Sequence, residues 1–287
     1  MNLARSSAAC LHHSKPSFCR RRRSSKMGTQ KLQNRVALVT GAGRGIGRAI
    51  ALAFAHEGAA VFVTARTHAE IESVVQEVRD GGGRAASIEA DLADLSAPKR
   101  IVEKALADYG TVDILVNNAG VVSASDPRPL VDFRDEFWNL TLTVNLTAPY
   151  LLCKMLLPTF LSKKRGRIIN VASLAGKIGL MHGSAYAASK HGLIGLTQCL
   201  ALEVADQGIT ANCICPGPVR GVANDMRLHY DSDRLGVGPE ELEKRMTPIG
   251  RRLDPEEMTP IALLLASDES AAITGQAFNV CGGALML

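Results

Sequence analysis

Short apolar runs alternate with helix-like segments from residue 35 onward, and this alternation constrains the fold more than any other feature. The runs are Val36 to Thr40, Ala60 to Thr64, Ala85 to Glu89, Ile114 to Asn117, Arg167 to Ala172, Ile209 to Ile214 and Ala277 to Val280. Helical periodicity lies between them, at 46–57, 68–80, 96–109, 133–162, 186–206 and 254–267. Because such alternation requires crossover connections, it predicts an α/β fold with a parallel sheet covered by helices on both faces.

The basic residues divide the chain into a leader and a domain. Nine of the 33 Lys and Arg residues lie in residues 1–35, whereas the first acid is Glu57, so 24 positive charges remain against 28 acids. We therefore predict a basic leader or targeting segment at 1–32 and one domain at 33–287. The domain is mildly acidic, which argues against a nucleic-acid groove, and charges and prolines interrupt the leader, which argues against a membrane span.

The leader leaves the location of the protein open between two alternatives. A cytoplasmic protein is expected if the leader is a solvated tail or if Met27 is the true start. A segment that is rich in Ser and Arg and free of acids is also typical of transit peptides, so mitochondrial or plastid targeting by residues 1–30 is the alternative. The seven cysteines form no C-x-x-C pair, and they predict neither a metal site nor a disulfide framework.

A glycine-rich turn follows the first strand and opens a helix. It reads Gly41-Ala-Gly43-Arg-Gly45-Ile-Gly47, and this context suits a dinucleotide, since glycines admit close backbone approach and a helix N-terminus favours a pyrophosphate. No Gly-Lys-Ser/Thr follows, so a P-loop is disfavoured.

The residues after the second strand bear on cofactor choice. Thr64-Ala65-Arg66-Thr67 contains no acid to accept a hydrogen bond from the ribose 2′-hydroxyl of NAD. Arg66 and Arg44 could instead contact a 2′-phosphate, so NADP(H) is the preferred cofactor and NAD(H) the alternative. Asp91, after the third strand, is a candidate for an adenine contact.

A proton-transfer pair is predicted further along the chain. Tyr186 and Lys190 lie four residues apart, hence on one helical face, and an ammonium beside a phenol should lower the pKa of the phenol. Ser173, at the end of a strand, could donate a hydrogen bond to a substrate carbonyl oxygen. Together with a hydride carrier, these groups indicate a carbonyl reductase or alcohol dehydrogenase.

Over nearly all of residues 33 to 287 the chain resembles the short-chain dehydrogenase/reductase family. The resemblance rests on the glycine turn, Asn117-Asn118-Ala119-Gly120, Asn145, Ser173, Tyr186-x-x-x-Lys190 and Pro216-Gly217. It implies a Rossmann-like, doubly wound seven-stranded sheet and a homotetramer or homodimer. It also implies four catalytic residues, Asn145, Ser173, Tyr186 and Lys190, with Asn145 holding a water that links Lys190 to solvent.

The predicted cofactor site combines the turn with these motifs. It comprises Thr40, Gly41, Arg44, Gly45, Ile46, Gly47, Arg66, Asp91, Leu92, Asn118, Ala119, Gly120, Tyr186, Lys190, Pro216, Gly217 and Val219. One departure concerns Gly221, which stands where the family often has a threonine that contacts the nicotinamide amide. Backbone groups near Val219 are the remaining candidates for that contact.

The substrate is predicted less sharply than the chemistry. Resemblance of stretches such as Gly176-Lys177 to acyl and polyketide ketoreductases favours a 3-oxoacyl thioester carried by acyl-CoA or acyl carrier protein. Arg128, Arg134 and Lys177 are candidates for a basic patch facing such a carrier. An alcohol or polyol dehydrogenase and a non-catalytic dinucleotide-binding regulator are the alternatives. Gly217 to Thr247, rich in charge, Gly and Pro, is predicted to be a substrate lid at 217–247.

Overall fold

The structure, a computed structural model, describes residues 30–287 and contains one parallel sheet between two layers of helices. The strands are β1 (Val36–Thr40), β2 (Ala60–Ala65), β3 (Ala85–Glu89), β4 (Ile114–Asn117), β5 (Gly166–Val171), β6 (Ile209–Pro216) and β7 (Ala277–Val280). The α-helices are α1 (Gly45–His56), α2 (His68–Asp80), α3 (Ala97–Tyr109), α4 (Asp135–Leu142), α5 (Ala148–Lys163), α6 (Ser184–Val204), α7 (Val222–Leu235), α8 (Pro239–Arg245) and α9 (Thr259–Ala266).

The strand order is β3-β2-β1-β4-β5-β6-β7, and every neighbouring pair is parallel. The order runs outward from β1 in both directions, so the connections reverse between β1 and β4. In open α/β sheets, ligands bind in the crevice outside the carboxyl ends of the strands at such a switch point. The predicted doubly wound, Rossmann-like sheet of seven strands is therefore confirmed. A ligand-binding site is expected at the carboxyl edge of this sheet.

Apolar side chains fill the space on both faces of the sheet. On one face α1 and α2 contribute Ile50, Phe54 and Ile71, all fully buried. On the other face α3 and α5 contribute Ile101 and Leu152, also fully buried. Since strands covered on both faces must be apolar throughout, the continuous runs of the sequence follow from this layering.

The predicted helix at 133–162 is interrupted in the structure. A π-helical turn, Thr143–Thr147, separates α4 from α5. The whole stretch, Asp135–Lys163, is long and apolar enough to pass for a membrane span by length and composition. Its apolar composition has another physical reason here, because Leu152, Leu156 and Phe160 are fully buried against the sheet.

The structure describes the predicted lid but only residues 30–32 of the predicted leader. The segment 217–247 contains helices α7 and α8, which the sequence analysis did not identify. The predicted leader, residues 1–32, lies almost entirely outside the described residues, so its role stays a prediction.

Candidate active site

The glycine turn joins β1 to α1 and leaves open space in front of the helix. Gly45 has φ +56°, and a Cβ atom at this position would meet nothing within 4 Å. Helix α1 has no side-chain cap and no acid in its first turn, so its leading amide groups are free to bind an anion. A cradle lined by unpaired amides fits the pyrophosphate of a dinucleotide.

Asn118 and Thr40 hold the turn against the end of β4. The Asn118 side-chain amide donates to the Thr40 and Gly41 carbonyl oxygens at 3.0 Å each, and the Thr40 hydroxyl accepts from the Asn118 and Ala119 amides at 3.0 and 3.1 Å. A Cβ atom on Gly47 would lie 2.4 Å from the Asn118 amide nitrogen. Glycine is therefore required at Gly47 for close packing, and the structure brings Asn118, Ala119 and Thr40 together at one edge of the sheet.

Arg44 and Arg66 are exposed side chains on either side of this cradle, Arg44 at the cap of α1 and Arg66 just after β2. Neither guanidinium group takes part in any ion pair or hydrogen bond that the structure records among residues 30–287, in contrast to that of Arg48, which pairs with Glu77. Asp91 is exposed after β3 and accepts from the Ala93 amide at 2.9 Å. Two cations without partners beside the cradle are available for a phosphate.

Ser173 and Tyr186 meet at the carboxyl edge. Ser173 follows β5, and its hydroxyl accepts from the Ala175 amide at 3.1 Å. Tyr186 lies in the first turn of α6, with the Ser173 hydroxyl near its phenol. Burial raises the pKa of Tyr186 above its usual value, while the neighbouring Ser173 hydroxyl opposes that shift. Two hydroxyl groups thus converge on one point where a carbonyl oxygen could sit.

Lys190 lies one turn further along α6, and its ammonium is 5.7 Å from the centre of the Tyr186 ring. The side chain is buried, and Nζ donates to the Val171 carbonyl oxygen at 2.8 Å. Burial lowers the pKa of Lys190 to about 8. The pairing predicted from the four-residue spacing is present, but the pKa of Tyr186 is raised instead of lowered, because burial outweighs the lowering by Ser173.

Asn145 lies in the π-helical turn and is fully buried. Its amide accepts from the Val121 N–H at 2.7 Å and donates to the Val121 carbonyl oxygen at 2.9 Å and the Ser189 hydroxyl at 3.1 Å. A Cβ atom on Gly120 would lie 3.4 Å from Asn145 Oδ1 and 3.8 Å from Lys190 Nζ. Asn145 and Lys190 therefore both lie beside the Gly120 backbone, at ordinary contact distance from where a Cβ atom would stand.

The segment after β6 forms the opposite wall. A Cβ atom on Gly217 would lie 2.8 Å from the Cys281 Cα, so only glycine fits there. Val219 is buried, and its carbonyl oxygen accepts from the Asn224 side chain at 2.6 Å. Gly221 has φ +138°, a conformation open to glycine alone, which explains why threonine does not stand at this position.

Sequence reasoning missed two residues of this site. Ser189 links the Asn145 side chain to the Tyr186 carbonyl oxygen, to which it donates at 2.7 Å, and its place directly before Lys190 was the signal available. Cys215 lies near Tyr186 at the end of β6, where its charge when ionised would raise the pKa of the phenol. Nothing in the sequence pattern distinguishes this thiol from packing.

The family model described as short chain dehydrogenase matches residues 35–231. The chain belongs to this family. The match spans the glycine turn, all four predicted catalytic residues and part of α7. The protein is accordingly an oxidoreductase of the short-chain dehydrogenase class.

Several relatives are similar over almost the whole domain. A protein provisionally named ketoacyl reductase 1 of the granaticin polyketide synthase, from Streptomyces violaceoruber, is 44% identical over 86% of this chain and 92% of its own length. A variant of actinorhodin polyketide ketoreductase solved with NADPH has a TM-score of 0.82 and 39% identity, covering 90% of this chain and 99% of its own. A provisionally named NAD(P)-dependent gluconate 5-dehydrogenase from Beutenbergia cavernae, with bound NADP, has a TM-score of 0.80 and 40% identity, covering 90% and 99%.

Proposed function

We propose that this short-chain dehydrogenase is an NADP(H)-dependent reductase that converts a ketone to a secondary alcohol. The observation that carries the proposal is the placement of the Ser173 and Tyr186 hydroxyls at one sheet edge, with the Lys190 ammonium 5.7 Å from the Tyr186 ring centre and the glycine cradle at the same edge. A relative solved with NADPH and one solved with NADP support the choice of cofactor. The exposed, unpaired Arg44 and Arg66 support it independently.

In this mechanism the two hydroxyls hold the carbonyl oxygen of the substrate. Ser173 donates a hydrogen bond to the oxygen, and Tyr186 transfers its proton to it as the bond order falls. When bound, NADPH supplies the hydride that the carbonyl carbon receives. Because burial raises the pKa of Tyr186, the phenol is protonated at neutral pH, which is the form that a proton donor needs.

Lys190 and Asn145 assist the proton transfer from Tyr186 indirectly. Lys190 holds a positive charge near the phenol and stabilises the phenolate that remains after transfer. Asn145 fixes the Val121 backbone and, through Ser189, the first turn of α6. The cofactor contacts predicted from the sequence, from Thr40 to Val219, are kept as part of the proposal.

The proposed substrate is a 3-oxoacyl thioester borne by acyl-CoA or an acyl carrier protein. The similarity to a provisionally named polyketide ketoacyl reductase supports this choice. The alternative of a polyol dehydrogenase is supported by the similarity to the provisionally named gluconate 5-dehydrogenase. We keep both, and we propose the cytoplasm as the location, since the relatives lend no support to organelle targeting.

We further propose that 33–287 forms one domain with 217–247 as its substrate lid, and that the chain forms a homotetramer or homodimer. Leu140, Leu161 and Leu202 are 38%, 41% and 86% exposed on α4, α5 and α6. Apolar side chains exposed on neighbouring helices are typical of interfaces between subunits. Light scattering of the purified protein tests the assembly, and a monomer at micromolar concentration would contradict it.

The Tyr186→Phe variant tests the reaction. We expect kcat for ketone reduction to fall by about 10² to 10⁴, the usual contribution of general acid catalysis. NADPH binding, followed by fluorescence, should survive, because the ring remains. A panel of acetoacetyl thioesters, ketoses and cyclic ketones identifies the substrate class. Equal turnover by wild type and variant would contradict the assignment of Tyr186 as proton donor.

A further inference from the structure

A polar pair outside the proposed catalytic residues joins the lid to the loop that leads into the catalytic helix. His182 Nδ1 lies 2.5 Å from the Tyr230 hydroxyl, and the two rings meet edge to face at 6.1 Å. His182 stands one residue before the N-cap of α6, four residues before Tyr186, whereas Tyr230 lies on α7. The pair therefore spans from the wall of the proposed cleft to its lid.

The backbone at His182 is held in an unfavourable conformation, with φ +56°. For a residue other than glycine this costs of order 1 kcal/mol or more, and such residues cluster at functional sites. The loop that contains His182 packs against the 3₁₀ turn that follows β4. A Cβ atom on Gly183 would lie 3.2 Å from the Ser123 Cβ in that turn. This packing restrains the backbone next to His182.

Arg227 fixes the other partner. Its guanidinium donates to the Met181 carbonyl oxygen at 2.9 Å, pairs with Asp231 at 2.6 Å and lies 5.3 Å from the centre of the Tyr230 ring. With only 8% of its surface exposed, Arg227 is a rigid support. Both members of the pair are consequently preorganised, which a binding group requires and a chance surface contact does not.

The pair always has one hydrogen left to donate. A neutral imidazole and a phenol carry two polar hydrogens, and the bond between them uses one. If the phenol donates, Nε2–H of His182 remains free; if Nδ1–H donates, the phenolic hydrogen remains free. Both side chains are partly exposed, and the structure records no other hydrogen bond for these atoms among residues 30–287. The remaining hydrogen is available to an acceptor in the cleft.

Apolar side chains flank the pair on both sides. Met181, in the loop, is 58% exposed, and Met226 and Val222, on α7, are 47% and 57% exposed. Thioethers on flexible stems adapt to ligands of varied shape. One donor among exposed apolar groups suits an apolar chain that carries a single additional oxygen.

We propose that His182 and Tyr230 form a second subsite, which hydrogen-bonds a second carbonyl oxygen of the substrate while Ser173 and Tyr186 hold the carbonyl that is reduced. The inference rests on the proposed function and narrows it, because it selects 1,3-dicarbonyl substrates, such as 3-oxoacyl thioesters, over simple ketones. A ketone that lacks the second carbonyl leaves the donor of this partly buried pair without an acceptor, so the site disfavours such a ketone strongly.

The test compares two substrates with two variants. Acetoacetyl-N-acetylcysteamine carries both carbonyls, and a ketone of equal length with a methylene in place of the thioester carbonyl is its match. Tyr230→Phe retains the ring over Arg227, and His182→Asn retains a residue that tolerates positive φ. Each variant keeps one donor but removes the partner that orients it. We therefore expect each variant to lower kcat/KM for the dicarbonyl about tenfold, as for one lost hydrogen bond, and to change it less than about twofold for the matched ketone.

Controls separate this result from loss of structure. His229→Asn, on the exposed side of α7, and Tyr150→Phe, on α5, should leave kcat/KM unchanged for both substrates. Fluorescence titration with NADPH shows that each variant is folded. Equal losses for dicarbonyl and ketone, or no loss for either, would overturn the subsite while leaving the proposed reductase intact. A wild type that binds NADPH and reduces neither compound would overturn the proposed function, and the subsite with it.

Discussion

Lys190 and Tyr186 respond to burial in opposite directions, and both responses favour the neutral form. Burial lowers the pKa of Lys190 to about 8 and raises that of Tyr186. At neutral pH Lys190 is still largely charged and Tyr186 is protonated. The unliganded enzyme therefore holds the protonation states that ketone reduction needs, but Lys190 loses its charge not far above neutrality.

The pH dependence of reduction should follow Lys190. We expect kcat/KM for NADPH, which reports the unliganded enzyme, to be level below about pH 7 and to fall about tenfold per pH unit above about pH 8. The charge is present below the pKa and lost above it, so the fall is on the alkaline side. A Lys190→Arg variant keeps its charge at every accessible pH. If residual activity in that variant fell at the same pH, another group would be responsible.

Arg44 and Arg66 should decide between the two nicotinamide cofactors. In the double variant Arg44→Ala, Arg66→Asp, two charge-assisted contacts to the 2′-phosphate are lost and a repulsive charge is introduced. We expect the NADPH to NADH ratio of kcat/KM to fall by on the order of 10². Arg48→Ala is the control, because Arg48 already pairs with Glu77. An unchanged ratio in the double variant would contradict the phosphate contact.

For single residues, the sequence predicts which side chains form the site better than it predicts how their pKa values shift. The spacing of Tyr186 and Lys190 was enough to predict that they share a helical face. The direction of the Tyr186 pKa shift was not predictable, because it depends first on how deeply the folded chain buries the phenol. His182 and Tyr230 stand in no recognisable motif and meet only because α7 folds over the loop before α6.

Elements with strong periodicity were predicted closely, and elements without it were not. β1, β3, β4 and β7 have the predicted bounds. β1 and β4 are buried throughout, whereas β3 and β7, at the two edges of the sheet, are only partly buried. The helix α7 was missed, since its sequence from Val222 to Leu235 mixes acids, arginines and a histidine without a broad apolar face. The π-helical turn that positions Asn145 inserts one residue into an otherwise regular helical pattern and leaves no signal in it.

Gly221 sets the start of α7, and we expect a threonine there to weaken the site. Its φ of +138° and ψ of 162° are open to glycine alone, and forcing another residue into this region costs about 1 to 3 kcal/mol. The Gly221→Thr variant should therefore bind NADPH several-fold more weakly and exchange the first-turn amides of α7 faster. Fluorescence titration and hydrogen exchange measure the two effects.

A glycine at the start of the neighbouring helix provides the control. Gly238 caps α8 with φ −59°, and a Cβ atom would meet nothing within 4 Å at either glycine. Gly238→Thr should consequently change neither measurement, since only the backbone conformation differs. Tighter NADPH binding by Gly221→Thr would mean that the threonine forms the nicotinamide contact found elsewhere in the family.

The whole molecule brings the site together from segments that lie far apart in the sequence. The glycine turn follows β1, Ser173 follows β5, and Gly217 follows β6, yet all lie at one sheet edge because every strand points the same way. This edge was predictable from the alternation alone. How deeply the fold buries Lys190 was not, and that burial has a cost for the stability of the entire domain.

Lys190→Met should abolish turnover and stabilise the fold at neutral pH. A pKa lowered from 10.5 to about 8 means that burying the charged form of Lys190 costs the wild type about 3 kcal/mol. The variant avoids this cost, but its Val171 carbonyl loses a hydrogen-bond donor, which costs about 1 kcal/mol. Between pH 8 and 10.5 the unfolded wild type binds more protons than the folded one, so its free energy of unfolding rises with pH in that window. The variant should be more stable at pH 7 by about 2 kcal/mol and lack this rise, as measured by urea unfolding.

Lys99→Met, at an exposed position, is the control and should change stability by less than about 0.5 kcal/mol. A less stable Lys190→Met protein would show that the ammonium contributes more to the fold through its hydrogen bond than it costs by its burial.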